Sequence, residues 1–217
     1  MHDLTPGEHE SLDPIAGSWR IFQLRKGHRF STDDLVTAWR GSQARPRARR
    51  PLDIGCGSGS VGLSTRYNLA PDATLVGVEA QELSAGLARR TVRLNGLEHR
   101  ATIVHGDLRD PEVVPEALRP EDGFELITGS PPYIPVGKGI IPAHPQKAGA
   151  RFELKGSVYD YCEAARRWLA PGGAFAFVMA AADPRTEDAP VQAGLVVEER
   201  TDVRFRIERD PLITVLV

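Results

Sequence analysis

Four places in the 217-residue chain carry residue types that could do chemistry, and each begins at the end of a run that reads as a buried strand. They are Asp53-Ile54-Gly55-Cys56-Gly57-Ser58-Gly59-Ser60-Val61-Gly62, Glu79-Ala80, Gly106-Asp107-Leu108 and Ser130-Pro131-Pro132-Tyr133. Gly57 to Gly62 has the Gly-x-Gly-x-x-Gly spacing that brings a pyrophosphate to a helix N-terminus, with Glu79 placed to suit a dinucleotide ribose. A dehydrogenase is therefore one reading. Against it, the first glycine of that fingerprint belongs at the strand end, whereas Asp53-Ile54-Gly55-Cys56 intervene here. Asp53 would also set a carboxylate where a diphosphate needs neutral or positive surroundings, and it is better suited to an ammonium group. Cys56 reads as a small residue in the loop, since no histidine lies near it in sequence to partner a thiolate.

These residues need a scaffold, and the hydrophobic pattern supplies one. Strands are expected at 51–55, 73–79, 101–107, 124–130 and 174–180, with helices at 61–70, 82–95 and 158–170. Pro71 stops the first helix, Gly96 lies just past the second, and Pro171-Gly172-Gly173 turns the chain after the third. Residues 131–156 read as a long irregular segment, and 194–205 and 211–217 as two strands of a hairpin. Strand–helix alternation with near-continuous apolar strands gives an α/β fold, a mostly parallel sheet covered on both faces. The C-terminal hairpin adds an antiparallel strand. Ligands of such sheets bind at the carboxyl edge, where all four motifs fall. Residues 1–49 are expected to form an extension lying as a flap on the main domain, residues 50–217.

Composition narrows the class. With 41% hydrophobic and 26% charged residues the chain is neither disordered nor fibrous. No apolar run approaches the roughly 18 residues of a membrane span. Cys56 and Cys162 are too few for a disulfide framework or a closed zinc site, so no metal is expected. The acidic, polar start MHDLTPGEHESLDP is unlike a signal peptide, and a cytoplasmic location is the expectation. A net charge of −2 hides basic stretches at 20–50 and 134–156 on an acidic remainder, which points to a polyanion-facing side.

The run Asp53-x-Gly55-Cys56-Gly57-x-Gly59 resembles motif I of class I S-adenosylmethionine (SAM) methyltransferases, whose cofactor carries an amino-acid moiety and no phosphate. The resemblance implies a Rossmann-like fold with a seven-stranded sheet. It implies that Asp53, Gly55, Cys56, Gly57 and Gly59 hold the cofactor, that Glu79 beside Ala80 grips the ribose hydroxyls, and that Asp107, between Gly106 and Leu108, takes the adenine amine. Ser130-Pro131-Pro132-Tyr133 resembles the [Asn/Asp/Ser]-Pro-Pro-[Tyr/Phe/Trp] motif of enzymes that alkylate planar amino groups: adenine N6, cytosine N4, guanine N2 or the glutamine amide. The chemistry accounts for the residue types, because the lone pair of such an amine is delocalised and must be turned toward the methyl donor. The Ser130 side chain and the Pro131 carbonyl would accept the amine hydrogens, the two prolines fixing the carbonyl's direction, and Tyr133 would stack on the base. Transfer would be direct and in line, with S-adenosylhomocysteine as product and neither a metal nor a covalent intermediate.

The stretch Phe22 to Trp39, with Thr32-Asp33 followed by Leu35, Val36 and Trp39, resembles the segment before motif I in bacterial tRNA adenine-N6 methyltransferases that modify a valine tRNA. Glu79-Ala80-Gln81-Glu82-Leu83 and Arg93-Leu94-Asn95-Gly96-Leu97 are similar to that family too, so the likeness spans about residues 15–180. It implies that Thr32 and Asp33 help close the SAM pocket and that tRNA or another structured RNA is the partner. Arg25, Lys26, Arg29, Lys138, Lys147 and Arg151 are then the candidate RNA contacts, and His144 is a lone histidine among them. Related DNA enzymes carry a target-recognition domain and release-factor enzymes a helical N-terminal domain, neither of which is expected here. A protein glutamine, an rRNA guanine N2 or a small metabolite is the alternative acceptor, and no protein partner is evident.

Overall fold

The computed structural model describes residues 4–217. Its strands are β1 (Glu10–Ala16), β2 (Trp19–Leu24), β3 (Pro51–Ile54), β4 (Leu75–Glu79), β5 (Ala101–His105), β6 (Phe124–Gly129), β7 (Leu169–Ala180), β8 (Arg200–Val203) and β9 (Ile213–Leu216). The helices are α1 (Thr32–Ala44), α2 (Ser60–Asn68), α3 (Glu82–Leu94), α4 (Pro145–Arg151), α5 (Val158–Trp168) and α6 (Arg185–Gln192).

β3 to β9 form a seven-stranded sheet in the order β5-β4-β3-β6-β7-β9-β8. β3 to β7 pair in parallel, and β9 runs antiparallel to both β7 and β8. The chain winds outward from β3 to β5 and then restarts at β6 on the other side of β3. This reversal opens a crevice at the carboxyl ends of β3 and β6, where an open α/β sheet binds its ligand.

Alternation along the strands builds the two faces. Leu52, Ile54, Val76, Val78 and Ile127 pack against Val158, Tyr161, Ala165 and Trp168 of α5. On the opposite face Leu75 and Ile103 meet Leu63 of α2 and Ala85, Ala88 and Val92 of α3. α1 lies on that second face over β6 and β7. It sits so close that a Cβ on Gly41 would stand 3.1 Å from Thr128 Cγ2 and 3.3 Å from Ala176 Cβ.

The N-terminal residues divide into two parts. β1 and β2 pair as an antiparallel hairpin docked on α3, where Phe22 N donates to Thr91 Oγ1 at 3.1 Å and the Arg90 guanidinium lies 4.2 Å over the Phe22 ring. α1 is a layer helix of the main body.

Several local expectations change. The segment 131–156 is not wholly irregular, since it contains α4; the helix is seven residues long with two buried positions, too short for a period to show. Pro171-Gly172-Gly173 does not precede a fresh strand. β7 starts at Leu169 and bulges there, so that Phe124 pairs with Leu169 but Leu126 with Ala174, and Gly172 takes φ +71°. Residues 194–199 stay outside β8 with Val196 exposed, the apolar GLVV run notwithstanding. The basic run 20–50 is not one continuous face: Arg40 pairs with Glu199, Arg45 with Glu198 and Arg49 with Asp72. Those three guanidinium groups face surface carboxylates, and none of the six residues lines the crevice.

Candidate functional site

The first cleft begins with a backbone requirement. Between β3 and α2 the chain reverses through Gly55, Gly57 and Gly59, all at positive φ (+66°, +56° and +99°), a conformation that costs glycine little. The loop is pinned at both ends. Cys56 N donates to the Val78 carbonyl at 2.9 Å, and Gly57 N donates to Glu79 Oε2 at 2.8 Å. Glu79 also accepts Gln81 N on Oε1 at 2.7 Å, and burial raises its pKa against these hydrogen bonds. A cleft of about 810 Å³, its open mouth included, lies over this loop. Gly55, Cys56, Gly57, Glu79, Ala80, Gly106 and Leu108 line it, seven of the residues that motif spacing singled out. Burial drives the Cys56 thiol well above its ordinary pKa, which leaves it a poor nucleophile.

Asp53 stands behind this wall. It is 1% exposed, with Oδ2 accepting Gly62 N and Oδ1 accepting Thr128 Oγ1, each at 2.8 Å. Its carboxylate therefore ties the first turn of α2 to β6 instead of lining the cleft, and a Cβ on Gly62 would fall 2.8 Å from Oδ2. Desolvation pushes its pKa up to about 7. The native state thus binds a proton more tightly than the unfolded chain, so the Asp53 contribution to stability falls as pH rises from about 4 to about 7. Asp53→Asn is expected to gain stability relative to the parent between pH 5 and pH 8, by a few kcal/mol at most. Urea unfolding at the two pH values checks this, and a pH-independent difference would contradict it.

Asp107 lies between Gly106 and Leu108 of the lining but does not itself line the cleft, and its carboxylate accepts Arg109 Nε at 2.8 Å. Gly59 caps α2 from outside the cleft, and Thr32 is exposed on the first turn of α1.

The second cleft adjoins the first. It spans about 670 Å³, its open mouth included, between Asp33, Pro131, Tyr133, Ile134 and Arg151. Asp34, Ser130, His28 and Ala150 line both clefts, whereas Pro132 faces the first. Two successive acids at the start of α1, where the helix dipole favours negative charge, hold the two ends of the diproline corner. Ser130 Oγ donates to Asp34 Oδ1 at 3.2 Å, and Tyr133 OH donates to Asp33 Oδ2 at 2.6 Å. From the other side Arg185 Nη2 donates to the Tyr133 carbonyl at 3.1 Å, and Arg185 is itself held by Asp183 and Glu153. The corner is clamped before any ligand arrives.

α4 forms the roof. Gln146 Oε1 accepts His28 N at 2.6 Å and Nε2 donates to Ser84 Oγ at 3.4 Å, which ties the β2–α1 loop to α3 across the first cleft. Lys147 and Arg151 belong to this roof, Lys138 is exposed in the loop that precedes it, and Arg25 and Lys26 are exposed just after β2. Arg29 is committed elsewhere, its Nη2 at 3.0 Å from Asp13 Oδ2. His144 precedes α4 and lines neither cleft. Among the described residues no cluster of three or more His, Cys, Asp or Glu is placed to hold a metal, and no helix is long and apolar enough to cross a membrane.

Sequence reasoning missed Asp34, Gln146 and Arg185. Asp34 had a readable signal, because Ser31-x-x-Asp34 is a capping-box spacing that fixes a helix start, and Ser31 N does donate to Asp34 Oδ2 at 3.1 Å. Gln146 and Arg185 act over 118 and 52 positions of chain, which no local pattern reveals.

Comparison with known proteins gives a consistent set of likenesses. The family described as methyltransferase small domain matches residues 35–188. The tRNA1(Val) (adenine(37)-N6)-methyltransferase of Aeromonas salmonicida is 31% identical over 131 residues, 60% of this chain and 51% of that protein. The release factor glutamine methyltransferase of Mycobacterium tuberculosis is 28% identical over 152 residues, 66% of this chain and 47% of that one. The chain thus spans about half the length of these relatives. A protein solved in complex with SAH shares the fold at TM-score 0.64 and 13% identity, covering 98% of this chain and 56% of that one.

Proposed function

We propose that this chain, which belongs to the methyltransferase small domain family, transfers a methyl group from SAM to the exocyclic N6 amine of an adenine in tRNA. The observation that carries the reading is Ser130, which lines both clefts at once and ends the strand beside the glycine loop. A donor in the first cleft and a planar amine in the second would meet at this side chain.

The lining of the first cleft fits SAM better than a dinucleotide. Asp53, Asp34 and Glu79, three buried carboxylates, surround the loop, and Gly62 N, a donor at the start of α2 that a pyrophosphate would need, is already taken by Asp53. Glu79 and the backbone of Gly55–Gly57 would hold the hydroxyl-bearing part of the ligand. SAM supplies an activated methyl group, so the protein's task is positioning and exclusion of water.

In the second cleft Tyr133 offers an aromatic face, and its hydroxyl bond to Asp33 fixes the ring. Ser130 Oγ donates its hydrogen bond to Asp34 Oδ1, which leaves its lone pairs free to accept from an amine. The Pro131 carbonyl is the second acceptor, set by two rings with fixed φ. Two acceptors on the two amine hydrogens turn the nitrogen lone pair toward the donor cleft.

The basic residues near the roof suit a phosphate backbone. Charge reversal at Lys147 and Arg151 together is expected to weaken tRNA binding about tenfold or more and to make the salt dependence shallower by roughly one to two in log–log slope. Arg29→Ala, whose side chain is held by Asp13, should leave both nearly unchanged. Fluorescence anisotropy at several salt concentrations reads both effects.

The likeness to release factor glutamine methyltransferases keeps a protein amide as a second reading, because the same two acceptors suit a planar amide. Incubation with methyl-labelled SAM and either total tRNA or total protein separates the two. Label in tRNA, recovered as N6-methyladenosine, is expected. Label confined to protein would replace the adenine with glutamine.

A further inference from the structure

We propose that Asp34 is a positioning residue and proton acceptor acting through Ser130, forming a two-residue relay that lets serine serve where the motif more often carries Asn or Asp. The inference rests on the methyl-transfer reading above and adds a role for a residue no motif assigns.

The geometry comes first. Serine is shorter than Asn or Asp and brings a hydroxyl hydrogen that must point somewhere. Here it points away from the second cleft, to Asp34 Oδ1 at 3.2 Å. The other oxygen, Oδ2, is held by Ser31 N at 3.1 Å, and the Ser60 hydroxyl also reaches the carboxylate. Asp34 is therefore fixed in orientation at the wall between the clefts, with one oxygen behind Ser130 and only 7% of its surface exposed. A hydroxyl already donating is an obligatory acceptor toward an amine, and polarisation by a carboxylate strengthens it as one.

The step balances as follows. The amine lone pair bonds to the methyl carbon while the carbon–sulfur bond breaks, its electron pair staying on sulfur. The nitrogen is left positively charged. One N–H proton passes to Ser130 Oγ as the Ser130 hydroxyl proton passes to Asp34 Oδ1, giving a neutral methylamine and a protonated Asp34 that later loses its proton to solvent.

The charged surroundings support a carboxylate poised to take a proton. Asp33 precedes it on α1, Asp53 stands behind it on β3, and Glu79 lies along the first cleft. Tyr133 faces it from the corner, His28 from the loop after β2, Arg151 from α4 and Lys155 from the segment after α4. Burial and the neighbouring Asp33 raise the Asp34 pKa to about 6. The ionised form accepts the proton, so the rate should decline as pH falls through about 6.

Asp34→Asn keeps the size and one acceptor but cannot take a proton. Single-turnover methyl transfer to tRNA is expected to slow about 100-fold, with the acid limb of the pH profile gone and the Kd for SAM and for tRNA within about threefold. Full activity with an unchanged pH profile would overturn the relay. A tenfold or greater loss of SAM affinity at an unchanged maximal rate would overturn it too, by making Asp34 a cofactor anchor. Should the variant fail to fold, Ser130→Ala supplies the test without catalysis. In cofactor-free protein carrying carbon-13 aspartate, the carboxyl titrating near 6 should move to higher pH when Ser130 no longer donates to it, and an unmoved titration would refute the coupling. Wild-type protein inert toward tRNA at every pH would instead fault the methyl-transfer reading, which keeps the two failures apart.

Discussion

Tyr133→Ala is expected to slow methyl transfer to tRNA by about 100- to 1000-fold in a single-turnover assay while changing the Kd for SAM by less than about threefold. The ring lines the second cleft and not the first, so its loss should leave the donor site whole. Stacking on a base contributes about 1–3 kcal/mol, and loss of an aligned approach costs about another 100-fold in rate. Tyr133→Phe separates the two contributions. It keeps the aromatic face but breaks the 2.6 Å bond to Asp33, and a loss of roughly tenfold or less is expected. Equal rates for wild type and Tyr133→Ala would remove the stacking role.

The second large effect concerns the donor. Glu79→Ala should weaken binding of S-adenosylhomocysteine about 100-fold by titration calorimetry. Glu79 does two things at once: it faces the cleft, and it accepts the N–H groups of Gly57 and Gln81 that shape it. Hydrogen bonds to a charged group contribute about 1.5–3 kcal/mol, and each 1.4 kcal/mol is tenfold in affinity. Asp107→Ala provides the contrast, since that carboxylate is engaged by Arg109; a loss below about tenfold is expected. The reverse ranking would exchange their roles.

The sheet was legible because β3, β4 and β6 are short apolar runs closed by glycine-rich or acidic turns. Pairwise spacing then put Glu79 and Ser130 at one edge without knowledge of any contact. The glycine loop was legible for the same reason: three glycines at positive φ leave few alternatives. Asp53 was harder. Its place at a strand end says that it is near the site, but only the fold shows that Gly62 N and Thr128 Oγ1, the latter 75 residues away, occupy it. α1 and α4 were missed as helices for different reasons. α1 has a polar run at its start, and α4 is one of the short helices whose stability comes from what it touches. The basic residues could be counted in sequence, yet their pairing could not, which is why Arg40, Arg45 and Arg49 read as a possible polyanion surface.

A crystal structure of the protein with S-adenosylhomocysteine bound tests the central claim most directly. The account places the ligand over Gly55–Gly57 against Glu79, with its sulfur at the end of the cleft bounded by Asp34 and Ser130. Density at another site, or a sulfur at the opposite end from Ser130, would contradict it.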